Sequence, residues 1–195
     1  MKNKGRGVLS VLLFLASTLA LAGSYAPSEI VAEVKNLARK MDLAPDKTAE
    51  LVQKVETALQ STELKEEIQN KPVNAVMVYS SAEGGLVVKI MKGQGLVSFK
   101  DGRKNAPIYL KSVSAGAMIG GGAQWAAGLI LGLKNEGELG GDYKGVKKSA
   151  AAVDATTSGG IFLMGAKDHK IFLVTTVRGF SADAGKTKLT ITRGW

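Results

Sequence analysis

The stretch Gly160-Ile-Phe-Leu-Met-Gly-Ala-Lys-Asp-His-Lys-Ile-Phe-Leu-Val-Thr175 decides the fold. Ile161–Met164 and Ile171–Val174 are short, wholly apolar runs, and runs of that length bounded by polar breaks read as strands rather than helices. Lys167-Asp168-His169-Lys170 makes a polar hairpin tip between them, where His169 is expected to face solvent. A strand that does not alternate has to be buried on both faces, so this hairpin needs cover on its outer side as well as a core beneath it. Working outward, Ala126–Leu133 has the same character. Val76–Tyr79, Leu86–Met91, Leu96–Phe99 and Ile108–Leu110 are further β-prone runs separated by Gly, Ser, Asn or Asp. Leu189-Thr190-Ile191-Thr192 alternates and reads as a half-exposed strand. Lys100-Asp101-Gly102-Arg103 contains the Asp-Gly pair of a tight hairpin turn. Lys134–Gly145 is expected to be a helical or looped insertion.

Glycine inside strands weakens them unless the chain bends sharply or backbones approach closely. Gly116, Gly120-Gly121-Gly122, Gly128 and Gly132 fall in or beside these strands. They predict a strongly curved antiparallel sheet, barrel-like in shape.

The chain upstream is of another kind. Residues 27–72 contain no glycine and carry seven basic against nine acidic side chains, net −2, whereas residues 73–195 hold 21 of the 24 glycines and sixteen basic against eight acidic, net +8. Ile30, Val34, Leu37 and Met41 recur at helical spacing after Ser28, a candidate N-cap. Pro45 interrupts, and a second helix carries Leu51, Val52, Val55, Ala58 and Leu59 on one face. Thr62 is expected to cap a third short helix with Leu64 and Ile68, stopped by Pro72. The expected fold is therefore α+β: two to three N-terminal helices over residues 27–72, then a Gly-rich β segment over 73–195, the two together making one domain.

Lys2, Lys4 and Arg6 precede an apolar run from Val8 to Ala22 that ends in Ala20-Leu21-Ala22. A basic flank, an apolar stretch and an A-x-A site describe an export signal over residues 1–22, cleaved after Ala22. Its removal lowers the net charge from +9 to +6, with 23 basic and 17 acidic side chains left. The expected location is the periplasm, soluble or peripheral to a membrane.

With no cysteine and one histidine in 195 residues, disulfide scaffolds, Cys-ligated metal sites and thiol nucleophiles are excluded. His-rich metal sites have no residues to work with. Gly179-Phe-Ser-Ala-Asp-Ala-Gly185-Lys186-Thr187 has five residues between its glycines, where a phosphate-binding P-loop has four, and it leads into a strand. No nucleophile motif accompanies His169. The sequence predicts a binding protein with no catalytic residues, no cofactor and no metal. Aromatic residues do not interleave with its lysines, which argues against nucleic acid.

Four segments carry a family resemblance. Asn74–Ile90, Ser112–Trp125, Leu129–Glu136 and Gly160–Gly179 resemble successive parts of a SYLF domain, and the similarity spans residues 46–193. Ser80-Ser81 stands where the family has a proline, His169 where its hairpin has a glycine, and Phe162-Leu163-Met164 where it is aromatic-rich. SYLF domains are lipid-binding modules, and bacterial members are mostly exported envelope proteins. The resemblance implies binding of an anionic phospholipid or membrane surface. The candidate contact residues are the loop cations Arg103, Lys104, Lys144, Lys147, Lys148, Lys167 and Lys170. The alternative expectation is a structural or adaptor protein of the envelope that binds another protein. Trp125 is expected to pack into a core.

Overall fold

The computed structural model describes residues 23–84, 88–102, 104–115, 123–145, 160–176 and 188–194. The expected export segment lies outside them, as do Gly116, Gly120–Gly122 and the segment from Gly179 to Thr187. Three helices come first, α1 (Pro27–Lys40), α2 (Pro45–Gln60) and α3 (Thr62–Asn70). Eight strands follow: β1 (Val73–Gly84), β2 (Val88–Phe99), β3 (Ala106–Ala115), β4 (Ala123–Leu131), β5 (Gly141–Gly145), β6 (Gly160–Gly165), β7 (Lys170–Thr175) and β8 (Lys188–Arg193). They close into an antiparallel barrel in the order β1-β2-β3-β8-β5-β6-β7-β4. The expected helices and curved sheet are present, and closure removes the free edges of that sheet.

The helix boundaries differ in detail from those expected. Ser28 lies inside the first turn of α1, which begins with Pro27, and the Glu29 carboxylate reaches back to accept the Ala26 N–H at 2.8 Å. Proline is pre-organised for that first position. Ser61, not Thr62, caps α3, its Oγ accepting from the Leu64 N–H at 3.4 Å.

Two apolar cores share one barrel wall. Ala75, Met77 and Tyr79 of β1 point inward, and with Val97, Ile108, Ile130, Leu163, Ile171 and Ile191 they fill the barrel. Val76 and Val78 point outward, where Leu129, Phe162, Phe172 and Val174 join Ile30, Val34, Leu37, Leu51 and Val55 of α1 and α2. A bulge at Val73/Ala75 in the β1–β4 pairing breaks the alternation, so Val73 joins the outer core although Ala75 faces inward. The helices are the cover that the apolar β6–β7 hairpin requires. Trp125 is half-buried against this outer core, as expected.

The strand that runs through Lys92-Gly93-Gln94-Gly95 corrects the expected pair Leu86–Met91 and Leu96–Phe99: β2 is continuous from Val88 to Phe99. A Cβ on Gly95 would lie 2.6 Å from Tyr79 Cβ and 2.9 Å from Tyr79 Cα, and one on Gly93 would lie 2.6 Å from the Ser80 carbonyl oxygen. These glycines permit tight coiling against β1 rather than marking a loop. Gly128 leaves room inside the barrel for Met77, whose Cγ is 2.8 Å from where its Cβ would be. The expected tight turn at Asp101-Gly102 is a wider connection between Phe99 and Ala106, with Gly102 at φ +80°.

The insertion expected over Lys134–Gly145 is a 3₁₀ turn at Glu136–Glu138 followed by β5. Only Tyr143 of the five β5 residues is buried, too little pattern to announce a strand. The connection before β5 folds over one end of the barrel and buries Leu133 and Leu139 in the inner core. Ionic contacts fasten the helical side at this plugged end: Lys170 to Glu67 at 2.6 Å, Lys71 to Asp168 at 2.7 Å and Lys100 to Glu29 at 2.7 Å.

Candidate functional site

The helices cover the outer face of β1, β4 and β7 and reach Leu96 of β2. On the other side of the barrel Tyr109 and Lys111 of β3, Lys188 and Thr192 of β8 and Asp142 and Lys144 of β5 are exposed, and Thr190 is half-buried. Register arranges them in rows. Ala82, Lys92, Lys111, Thr190 and Asp142 are successive cross-strand partners from β1 through β2, β3 and β8 to β5. A neighbouring row runs Ser80, Gln94, Tyr109, Thr192. Lys188 faces Lys144 across β8 and β5. Ile90 and Tyr109, 45% and 53% exposed, are the large apolar side chains left in the open among the described residues.

This wall is basic. Lys188 lies 2.8 Å from Asp142, and the Thr190 hydroxyl donates to the same carboxylate at 2.7 Å. Lys188 first and Thr190 second hold the Asp142 carboxyl below its ordinary range. Lys92, Lys111 and Lys144 form no salt bridge among the described residues, although Lys144 acts on the Asp142 carboxylate at longer range. Four ammonium groups against one carboxylate leave three positive charges unneutralised. Like charges directly opposite on neighbouring strands repel, and Lys92 opposite Lys111 is such a pair.

Beside that pair an open groove of about 400 Å³ crosses β1 and β2 to Tyr109. Ser80 and Ala82 on one side and Lys92 and Gln94 on the other line it. Ser81, between Ser80 and Ala82, contributes backbone to the groove. By strand alternation its buried side chain turns into the barrel, opposite Gly93.

The residues expected to bind do not converge. Lys144 alone lies on the basic wall. Lys104 is exposed in the connection before β3, at the plugged end of the barrel. Lys167 is exposed at the tip of the β6–β7 hairpin, on the opposite side of the barrel from β3, with Glu138 at 4.0 Å. Lys170 is bound to both oxygens of Glu67 at 2.6 Å. Arg103, Lys147 and Lys148 lie outside the described residues. Lys92, Lys111 and Lys188 escape the sequence reading. Their signal is alternation within strands (Ile90/Lys92/Gln94, Tyr109/Lys111, Lys188/Thr190/Thr192), whereas clustering of cations in loops points elsewhere.

His169 is also placed differently from the exposed tip expected of it, being 2% exposed. The Tyr143 hydroxyl donates to the Leu139 carbonyl at 2.7 Å and so accepts from His169 Nε2–H at 2.8 Å. That leaves Nδ1 buried without a partner among the described residues. Gly165 makes the space: a Cβ there would stand 2.6 Å from Nε2. Burial depresses the imidazole pKa, with Lys167 and Lys71 adding to the effect and Glu138 opposing it. Burial likewise raises the Tyr143 phenol. The pair ties the β6–β7 hairpin to the plug and to β5. Among the described residues no three acidic or histidine side chains gather as a metal site would require.

No protein-family model and no curated protein matches the sequence. Among solved structures the chain is similar to a beta-barrel-like, uncharacterized protein from Brucella abortus, with a TM-score of 0.53 and 20% identity over 88% of this chain and 95% of that one. At that identity the likeness concerns the fold alone. No helix among the described residues is long and apolar enough to cross a membrane.

Proposed function

We propose that this is a non-catalytic protein of the cell envelope that binds an anionic phospholipid surface through the bare wall of its barrel. The observation that carries the reading is the excess of three positive charges that Lys92, Lys111, Lys144 and the Asp142-paired Lys188 leave around exposed Tyr109 and Ile90, on the side the helices leave open. The SYLF resemblance of residues 46–193 supports the same ligand class. Each basic residue near an anionic bilayer contributes ~1 kcal/mol, so three net charges supply roughly 3 kcal/mol, on the order of a hundredfold in affinity. Exposed tyrosine and isoleucine add contacts at the headgroup level. Because the attraction is between exposed charges it fades with salt. Export of the chain belongs to this proposal and rests on the pattern of residues 1–22.

The test is co-sedimentation with vesicles. Anionic phosphatidylglycerol vesicles should retain the protein at low salt and release it at high salt, while neutral phosphatidylcholine vesicles should not retain it. Replacing Lys92, Lys111, Lys144 and Lys188 by Gln together should abolish the difference. Equal recovery with both vesicle types would overturn the proposal. Capture of a stoichiometric envelope protein on an unaltered basic wall would favour the adaptor reading instead.

A further inference from the structure

We infer that the groove in front of β1 and β2 is a seat for a phosphate monoester, built around Lys92 and Lys111. The inference rests on the surface-binding reading for the source of that phosphate, but its geometry stands apart. The two lysines are direct cross-strand partners, which places their Cβ atoms about 5 Å apart. Neither has an ionic partner among the described residues. A dianion set between two ammonium groups removes their mutual repulsion and gains charge-assisted hydrogen bonds from both. A phosphodiester, with one charge and two of its oxygens esterified, satisfies only half of that arrangement.

The rest of the groove supplies neutral donors and shape. Gln94 and Ser80 are cross-strand partners at its middle, each with a polar side chain on the outer face of the barrel. Tyr109, opposite Gln94, forms its wall with a half-exposed ring and brings a third neutral donor. Ala82 is the partner of Lys92 on β1. Its single methyl keeps the floor low beside the ammonium group, so the groove stays open at about 400 Å³, a volume within the range of small-ligand sites. Lys92 at one end, with Lys111 beside it as its cross-strand partner, and an amide, a hydroxyl and a phenol along the rest make a row of donors with no carboxylate among the described residues that line it. A tetrahedral oxyanion offers several acceptors to such a row; an apolar ligand offers none.

The test compares monoester with diester at matched charge. Phosphatidylcholine vesicles are doped with phosphatidic acid, or with phosphatidylglycerol to the same surface charge. Short-chain dihexanoyl phosphatidic acid and inorganic phosphate are titrated calorimetrically alongside. Phosphatidic acid vesicles should bind about tenfold tighter than charge-matched phosphatidylglycerol vesicles. Lys92→Gln and Tyr109→Ala should erase that preference while melting as the parent protein does. Lys40→Gln, on α1 and away from the wall, should preserve it. Equal binding of the two vesicle types, with no heat from dihexanoyl phosphatidic acid or phosphate, overturns the seat and leaves the surface reading standing. Lys92-dependent binding of dihexanoyl phosphatidic acid or phosphate, without any vesicle binding, keeps the seat as a site for soluble phosphate and removes the membrane reading.

Discussion

Outward from the barrel, β4, β6 and β7 present Leu129, Phe162, Phe172 and Val174 to the helices, whereas β3 and β8 present Tyr109, Lys111, Thr190 and Thr192 to solvent. Inward the two walls are alike: Ile130, Leu163 and Ile171 on one, Ile108, Leu110 and Ile191 on the other. What lies beyond the wall, not the barrel itself, selects the outer side chains. A strand under a helix is held by apolar packing on both faces. A strand under water is free to carry charge, and here the strands carry more positive charge than the one described carboxylate of the wall, Asp142, neutralises. Stability and binding are therefore expected to reside on different walls, and substitutions can separate them.

The largest expected effect is on the covered wall. Leu129 is fully buried between β4 and the helices, and Leu129→Ala should cost about 2–5 kcal/mol by lost contact and residual cavity. Tyr109→Ala on the bare wall should change stability by about 0.5 kcal/mol or less. Urea unfolding of the two variants measures both, and similar losses would erase the distinction between the walls. Coiling of β2 against β1 gives the next effect. Gly95→Ala would bring a methyl against Tyr79 backbone, at 2.9 Å from its Cα, which cannot rotate away; about 1–3 kcal/mol is expected. Gly128→Ala meets the flexible Met77 side chain instead and should cost less. The order of the two midpoints checks this.

The two walls are also unequally legible. The apolar runs Ile161–Met164 and Ile171–Val174 demand cover on both faces, and the helical periodicity of residues 27–72 supplies it, so the helix-covered sheet can be read directly. Closure cannot be read in detail: Gly93 and Gly95 look like a loop until Tyr79 is seen against them. β5 contributes a single inward residue, Tyr143, and one side chain makes no pattern. On the bare wall the lysines are scattered over four strands, from Lys92 to Lys188, and only register gathers them. Lys167 and Lys170 are close in sequence yet sit across the barrel from Lys111, and Lys170 is occupied by Glu67. Proximity along the chain is a poor guide to a site made of neighbouring strands. The burial of His169 is hidden for a related reason, since the space at Gly165 and the partner Tyr143 come from two other strands.

That histidine gives a pH-dependent test of the plugged end. Burial lowers its folded pKa below the ordinary value of about 6.5. Above that value both folded and unfolded chains hold a neutral imidazole and its contribution is complete. As pH falls through 6.5 the unfolded chain takes up the proton first, so stability declines until the folded pKa is passed. Melting temperature should fall between about pH 7.5 and pH 5 more steeply for the parent than for His169→Gln, which retains a donor toward Tyr143 but does not titrate. Parallel pH profiles would show that the buried imidazole does not govern this end. Because the His169 side chain is buried and neutral at that pH, whereas the wall's lysines face outward, the same change should leave vesicle binding at neutral pH unaltered.

The smallest effect is the most telling for the comparison, because its sign is opposite to the rest. Lys111→Gln removes one of two like charges that face each other across β2 and β3, so it should raise stability by a few tenths of a kcal/mol at low salt. The gain should disappear at high salt, where exposed charges are screened already. Lys170→Gln, also a loss of one lysine, should lower stability because it leaves the Glu67 carboxylate without its partner. The same variant that stabilises, Lys111→Gln, should weaken binding to anionic vesicles. A residue whose removal helps the fold and harms the binding is held in place by its ligand, and that combination is what separates the bare wall from the covered one.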